Sequence, residues 1–196
     1  MMEGQWDTPF GPLAVDEEMA AKLSQKFSLR PEDPRRSIPD NTRELQLPLI
    51  AHAFPGGRIL PLAVAPTTES VEIGLMCARL SQELGRKVLA LGSTDLTHYG
   101  PSYGFMPRGG GADAERWVKQ ELDPRVIERM KNMDASGILN EALASHNACC
   151  PGAAAATAAC VRALDARMSQ VAGYSTSRDT MPGDDFVGYV GIVYWR

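Results

Sequence analysis

No run of apolar residues in this 196-residue chain approaches the roughly 18 needed to cross a bilayer, so no membrane-spanning helix is expected. No cluster of lysine or arginine occurs and the net charge is −4, which argues against nucleic acid as a partner, because phosphate backbones are bound by a basic stripe. The opening Met-Met-Glu-Gly-Gln-Trp has neither the basic start nor the apolar stretch of a secretory leader. Cysteine is scarce: Cys77, Cys149, Cys150 and Cys160 are all there is, and two of them are adjacent, where a bridge would strain the backbone. Reduced thiols in a cytoplasmic protein are therefore the expectation. There is no internal repeat.

The apolar and charged fractions, 44% and 22%, are those of an ordinary globular protein, and the length suits one domain over 1–196. Asp16 is placed to cap a helix running to about Phe27, with Met19, Ala20, Leu23 and Phe27 on one stripe. Residues 28–40, with several prolines and charges, read as a loop. Asn41, with Glu44 three residues on, reads as a capping box for a helix that Pro48 should kink or shorten. Arg58–Val64 and Lys87–Gly92 read as strands around a helix over roughly 68–84, a βαβ unit with parallel strands. An irregular loop over 99–111, carrying Tyr99, Tyr103, Phe105 and three consecutive glycines, precedes helices at about 112–122, 124–132 and 135–145. An alanine-rich helix at about 152–167 and strands over 171–176 and 186–194 complete an α/β fold, with a mostly parallel central sheet flanked by helices.

The chemistry concentrates in two segments. The apolar run ending at Leu91 leads into Ser93-Thr94-Asp95-Leu96-Thr97-His98, which puts an acid and an imidazole at the carboxyl end of a strand, where α/β proteins present functional groups. An acid beside a histidine fixes its tautomer and serves general acid–base or metal-site roles. Alternatively, Asp95 caps the turn and His98 packs on Tyr99. The second segment is His146-Asn147-Ala148-Cys149-Cys150, just before the alanine-rich helix, where amide groups and the helix dipole favour a thiolate; either cysteine also suits a small apolar position. Cys77 and Cys160 read as core residues. His52 reads as an exposed or satisfied helix residue, and His146 as either a member of the site or a surface group. Gly109-Gly110-Gly111 lacks the following Lys-Ser/Thr and the preceding strand of a phosphate loop. Tyr174–Asp179 reads as a solvated turn or the lining of a pocket.

These residues resemble a known family. Ser93-Thr94-Asp95-Leu96-Thr97-His98-Tyr99 is similar to the "S-S-D-x-S-H-Y" block of Memo-like proteins, which include the AmmeMemoRadiSam system protein B group. Ala148-Cys149-Cys150-Pro151-Gly152-Ala153 is similar to "A-C-G-x-G-A", and Asp40–Pro48 to "E-H-S-x-E-x-Q-L-P". Thr176-Ser177-Arg178-Asp179 through Val193 resembles the family's "T-S-x-D…V-G-Y-A-x-I" end, and Trp6–Asp16 its "W-x-T-P-L-G-x-x-x-x-D" segment. The resemblance implies a fold shared with class III extradiol ring-cleaving dioxygenases, which use non-haem iron.

It also implies a pocket in which Asp95, His98 and Cys149 are the functional groups, with His98, Cys149, Cys150 and Asn41 at the metal-ligand positions and iron or copper as the metal. Asn41 stands where the family has the histidine of "E-H-S", and an amide oxygen is a poor substitute for imidazole. The family's "H-A-G-Y" block has no counterpart, so the resemblance implies a chain short of the family's N-terminal part, with a sheet edge open to a partner chain or a second copy. Two functions follow: a degenerate metal-dependent oxidoreductase, or a non-catalytic module binding a peptide, a small molecule or a small acid in a pocket walled by Tyr99, Tyr103 and Phe105. A fragment needing a partner for its missing strands is a third reading.

Overall fold

A computed structural model describes residues 3–31 and 40–196. The chain forms two compact units, residues 1–63 with 79–88, and residues 64–78 with 89–196.

In the first unit, strands β1 (Gln5–Trp6), β2 (Leu13–Val15) and β3 (Arg58–Ile59) form a three-stranded sheet, antiparallel between β1 and β2 and parallel between β2 and β3. Helix α1 (Glu17–Ser24) begins where the sequence predicts, because the Asp16 carboxylate accepts the Met19 N–H at 3.1 Å. It ends before Phe27, and Met19, Ala20 and Leu23 form its buried stripe. Arg86 ties Asp16 and Glu18 together at 3.0 and 2.8 Å. The next helix is broken as Pro48 requires, into α2 (Asn41–Glu44) and α3 (Leu47–Ala53). Its cap is Asp40 rather than Asn41: the Asp40 carboxylate accepts the Thr42 N–H at 3.0 Å, while Glu44 returns to the Asp40 N–H at 3.3 Å. Leu13, Leu47 and Ala51 form a small buried cluster in this unit.

Helix α4 (Glu69–Glu83) belongs to both units by sequence and lies where the βαβ reading puts a helix. The flanking segments differ from that reading. Beyond Ile59, residues 60–65 join no ladder, and neither do 87–95, so the parallel pair that forms is β2 with β3. A parallel strand is favourable when both of its faces are covered, whereas Leu89 and Leu91 are 70% and 56% exposed.

The second unit is built on β4 (His98–Tyr99), β5 (Met168–Thr176) and β6 (Phe186–Trp195), an antiparallel sheet with β6 central. The long β5–β6 ladder positions β6, and β6 in turn fixes the segment bearing the site: Leu96 N–H donates to Gly188 C=O at 2.8 Å, and His98 pairs with Val187. Against the sheet lie α5 (Ala112–Trp117), continued by a π-helical stretch (Val118–Leu122), then α6 (Asp123–Lys131), α7 (Ala135–Ser145) and α8 (Pro151–Ala163). Helix α7 is capped by Asp134 and closed by His146 in the left-handed region, φ 55°. The alanines of α8 are small for a reason: Ala155, Ala158 and Ala159 are buried with Leu96, Val126 and Ile138. Glycines let backbone approach α8 as well, since a Cβ at Gly92 would overlap the Thr157 side chain and one at Gly152, within α8, the carbonyls of Val64 and Ala65. Among the described residues, no helix is long and apolar enough to cross a membrane.

Candidate functional site

All of the site described next lies in the second unit. Thr94 and Asp95 dock against the turn that starts α8. The Cys149 N–H donates to the Asp95 carbonyl at 3.1 Å, and the Cys150 N–H donates to Thr94 Oγ1 at 3.0 Å. The exchange is reciprocal, because the Asp95 N–H points at Cys149 Sγ at 3.3 Å. His98, held in β4, turns its ring back so that Nε2 lies 3.2 Å from Asp95 Oδ2. One oxygen of Asp95, one nitrogen of His98 and the sulfur of Cys149 therefore fall within 4.8 Å of one another. The two distant segments of sequence meet.

The cluster opens to solvent. The side chains of Asp95 and His98 are 41% and 34% exposed, and Cys149 is exposed. Tyr103 stands edge-on to the His98 ring at 4.9 Å between centroids. Its turn, Pro101–Tyr103, is fastened by Asp185, which accepts from the Ser102 N–H at 2.9 Å and the Ser102 hydroxyl at 2.7 Å. Tyr189 is the next phenol: its pKa is raised by burial first and by the Asp95 charge second.

Beneath the site lies a buried polar knot. Asp123 accepts from the Thr97 hydroxyl at 2.5 Å, the Thr97 N–H at 3.2 Å and the Tyr174 hydroxyl at 2.8 Å. Burial pushes the Asp123 carboxyl up, and these three donors pull against that without reversing it. Gly188 makes room for the knot, since a Cβ there would overlap Asp123 Oδ2. Asn147 is fully buried nearby in sequence to Cys149, and its amide nitrogen donates to Leu122 C=O at 2.9 Å.

Some expectations are corrected here and others hold. Tyr99 is not a pocket wall: it is fully buried, stacked on Phe186 at 5.1 Å, and its hydroxyl donates to Gly109 C=O at 2.8 Å while accepting from Arg108 N–H at 3.1 Å. A large aromatic beside β6 gains more from stacking in the core than from solvent exposure. Phe105 packs on Tyr99 and His146, so Tyr103 alone of the three flanks His98. His146 sits against Phe105 rather than in the cluster, and His52 is an exposed residue of α3 against Phe10. The thiol that meets Asp95 and His98 is Cys149; Cys150 Sγ stands behind it at 3.5 Å. Asn41 opens α2, and its side chain lies outside the described part.

Cys77 and Cys160 are core-side thiols, raised by burial to about 12 and about 11. Tyr174–Asp179 is the end of β5 running into a capped 3-10 turn, not a loose one. Thr176 and Asp179 cap each other, and Arg178 donates to Gly111 C=O at 3.2 Å and meets Glu115 at 3.3 Å. Nothing in the sequence marks Asp123, an ordinary acid before a proline at a helix start. Nor does anything mark Asp185, whose partner is 83 residues away.

Comparison with known proteins bears on this arrangement. A family model described as "Memo-like protein" matches residues 1–193. A MEMO1 family protein of Pyrococcus abyssi is 31% identical over 202 residues, covering 99% of this chain and 69% of the relative. One from Pyrococcus furiosus is 32% identical over 199 residues, covering 97% and 68%. One from Methanopyrus kandleri is 30% identical over 203 residues, covering 100% and 66%.

Proposed function

This chain belongs to the Memo-like family, and from that premise we propose that it is a metal-binding protein in which Asp95, His98 and Cys149 hold an iron or copper ion. The observation that supports this reading is the convergence of an oxygen, a nitrogen and a sulfur donor within 4.8 Å. His98 Nε2 and Asp95 Oδ2, 3.2 Å apart, are separated by close to the roughly 3.3 Å edge of a tetrahedral ion with ligands at about 2 Å. A mixed imidazole and thiolate set favours iron, copper or zinc over magnesium or calcium. Such an ion would supply redox or Lewis-acid chemistry at this open surface.

The residues do not fit ring-cleaving extradiol chemistry as well. That chemistry uses two imidazoles and a carboxylate on iron, and the described cluster has one imidazole and a thiol in their place. The protein's own contribution is orientation. Asp95 Oδ2 holds the His98 ring from 3.2 Å at Nε2, and the Asp95 N–H directs Cys149 Sγ toward the same point.

A second reading, a module that binds a small molecule or peptide, is favoured by Tyr103, a residue 45% exposed beside His98.

The test is metal content by elemental mass spectrometry after purification without oxygen and loading with Fe(II) or Cu(I). About one equivalent is expected in the wild type, and background in His98→Ala and in Cys149→Ala, both of which should still unfold cooperatively. Negligible metal in the wild type, or metal unchanged in Cys149→Ala, overturns the metal reading and leaves the binding module.

A further inference from the structure

Cys150 has no role in the convergent cluster, yet its sulfur lies 3.5 Å from that of Cys149. Two adjacent side chains usually diverge; these are brought to the same side by the clamp on their backbone. The Cys149 N–H is held by the Asp95 carbonyl and the Cys150 N–H by Thr94 Oγ1, and Pro151 then fixes the chain direction into α8. Cys149 is exposed and Cys150 half-buried behind it. A front sulfur open to solvent with a second in contact behind it is the arrangement of a peroxide-attacking thiol and its resolving partner.

We propose that Cys149 and Cys150 are a peroxide-sensitive dithiol that closes to a disulfide between neighbouring residues. The oxidant is a hydroperoxide. Cys149 Sγ attacks the nearer peroxide oxygen, the O–O bond breaks, and the products are Cys149 sulfenic acid and one water (or alcohol, for an organic peroxide). Cys150 Sγ then attacks the sulfenic sulfur, forming the S–S bond and releasing the hydroxyl as a second water. In sum the dithiol loses two electrons and two protons, and the peroxide is reduced.

The product is strained. Neighbouring Cα atoms are about 3.8 Å apart across a trans peptide, below the 4.4 Å or more usual for a disulfide. Strain of this kind makes a bond easy to reduce, which suits a reversible switch better than a structural bridge. Closing it also takes Cys149 Sγ away from the Asp95 N–H. The dithiol does not depend on the metal reading. Where that reading holds, oxidation removes the sulfur ligand as well.

The test uses the full chain, freed of metal with a chelator and treated with stoichiometric hydrogen peroxide. It is then alkylated, digested and mapped by mass spectrometry. The expected product is a monomer lighter by two hydrogens, with the Cys149–Cys150 peptide protected from alkylation until a dithiol reductant is added. Cys77 and Cys160 should remain reduced.

In Cys150→Ser the reaction should stop at a Cys149 sulfenic acid that a dimedone probe captures. The wild-type map stands without that variant should it fail to fold. Overoxidation of Cys149 with Cys150 still alkylatable, a bridge between Cys77 and Cys160, or a disulfide between two molecules overturns the proposal. Because the experiment is done without metal, its failure is distinct from failure of metal loading.

Discussion

Asp123 shows how a single residue can govern the ground beneath the site. Its carboxylate is fully buried and takes three hydrogen bonds, two from Thr97, the neighbour of His98, and one from Tyr174. Desolvation still wins, and its pKa in the folded protein lies above the unfolded value. The proton is thus bound more tightly in the folded state. The stability it contributes is fully present below the unfolded carboxylate value of about 3.9 and is lost as pH rises through the folded value. In Asp123→Asn that pH-dependent loss should vanish, read as unfolding free energy in urea over a pH series; a slope equal to the wild type's would contradict the assignment. Asp123→Ala leaves the two buried Thr97 donors and the half-buried Tyr174 hydroxyl without their acceptor, at about 1–3 kcal/mol for each buried donor where no water enters. A loss of about 3 kcal/mol or more is expected. At this scale the sequence is unevenly legible. Asp95, His98 and Cys149 stand out because they are chemically reactive types in small-residue contexts. Asp123 and Asp185 are ordinary acids whose partners arrive only with the fold.

Among the elements, helices are where local signals and structure agree. Asp16 and Asp134 cap helices by accepting N–H groups three residues on, and Pro48 divides α2 from α3. Strands fare differently, because a ladder needs a partner that local sequence does not specify. Residues 60–64 and 87–92 have the composition of strands and join no ladder, while β5 begins three residues earlier than its apolar pattern suggests. The packing of α4 on α8 depends on a residue that helix propensity argues against. Gly74 costs a helix about 1 kcal/mol relative to alanine, but a Cβ there would overlap the Ala156 carbonyl oxygen. The offending atom is backbone and cannot rotate away. Gly74→Ala should therefore destabilise by about 1–3 kcal/mol despite its better propensity, measured by denaturant titration with helix content followed by circular dichroism. A variant as stable as the wild type would mean the two helices do not pack this closely.

For the molecule as a whole, the α/β class and the family are legible in the sequence. The division into two compact units is not, since its boundary cuts through α4 without any change in composition. The meeting of residues 94–98 with 149–150 was legible as two suggestive segments; their contact is supplied by the reciprocal bonds between Asp95 and Cys149. The loop over 99–111 was legible as irregular, and its anchorage was not, because nothing in the sequence marks Tyr99 for burial. That anchorage has a consequence for proteases. Arg108 is the only lysine or arginine between residues 88 and 115, so trypsin can divide this stretch of chain only at the bond between Arg108 and Gly109. The Tyr99 hydroxyl grips both sides of that bond, accepting from the Arg108 N–H and donating to the Gly109 carbonyl. A protease must draw several residues into an extended strand before cutting, so the bond is open to it only when that grip lets go. Tyr99→Phe keeps the ring in the core and removes the grip. Under brief native digestion it should split into two fragments faster than the wild type by about fivefold or more, if the lost hydrogen bonding is worth about 1 kcal/mol. Equal rates would show that the loop is held elsewhere. One phenolic oxygen thus sets how long this stretch of chain survives in one piece.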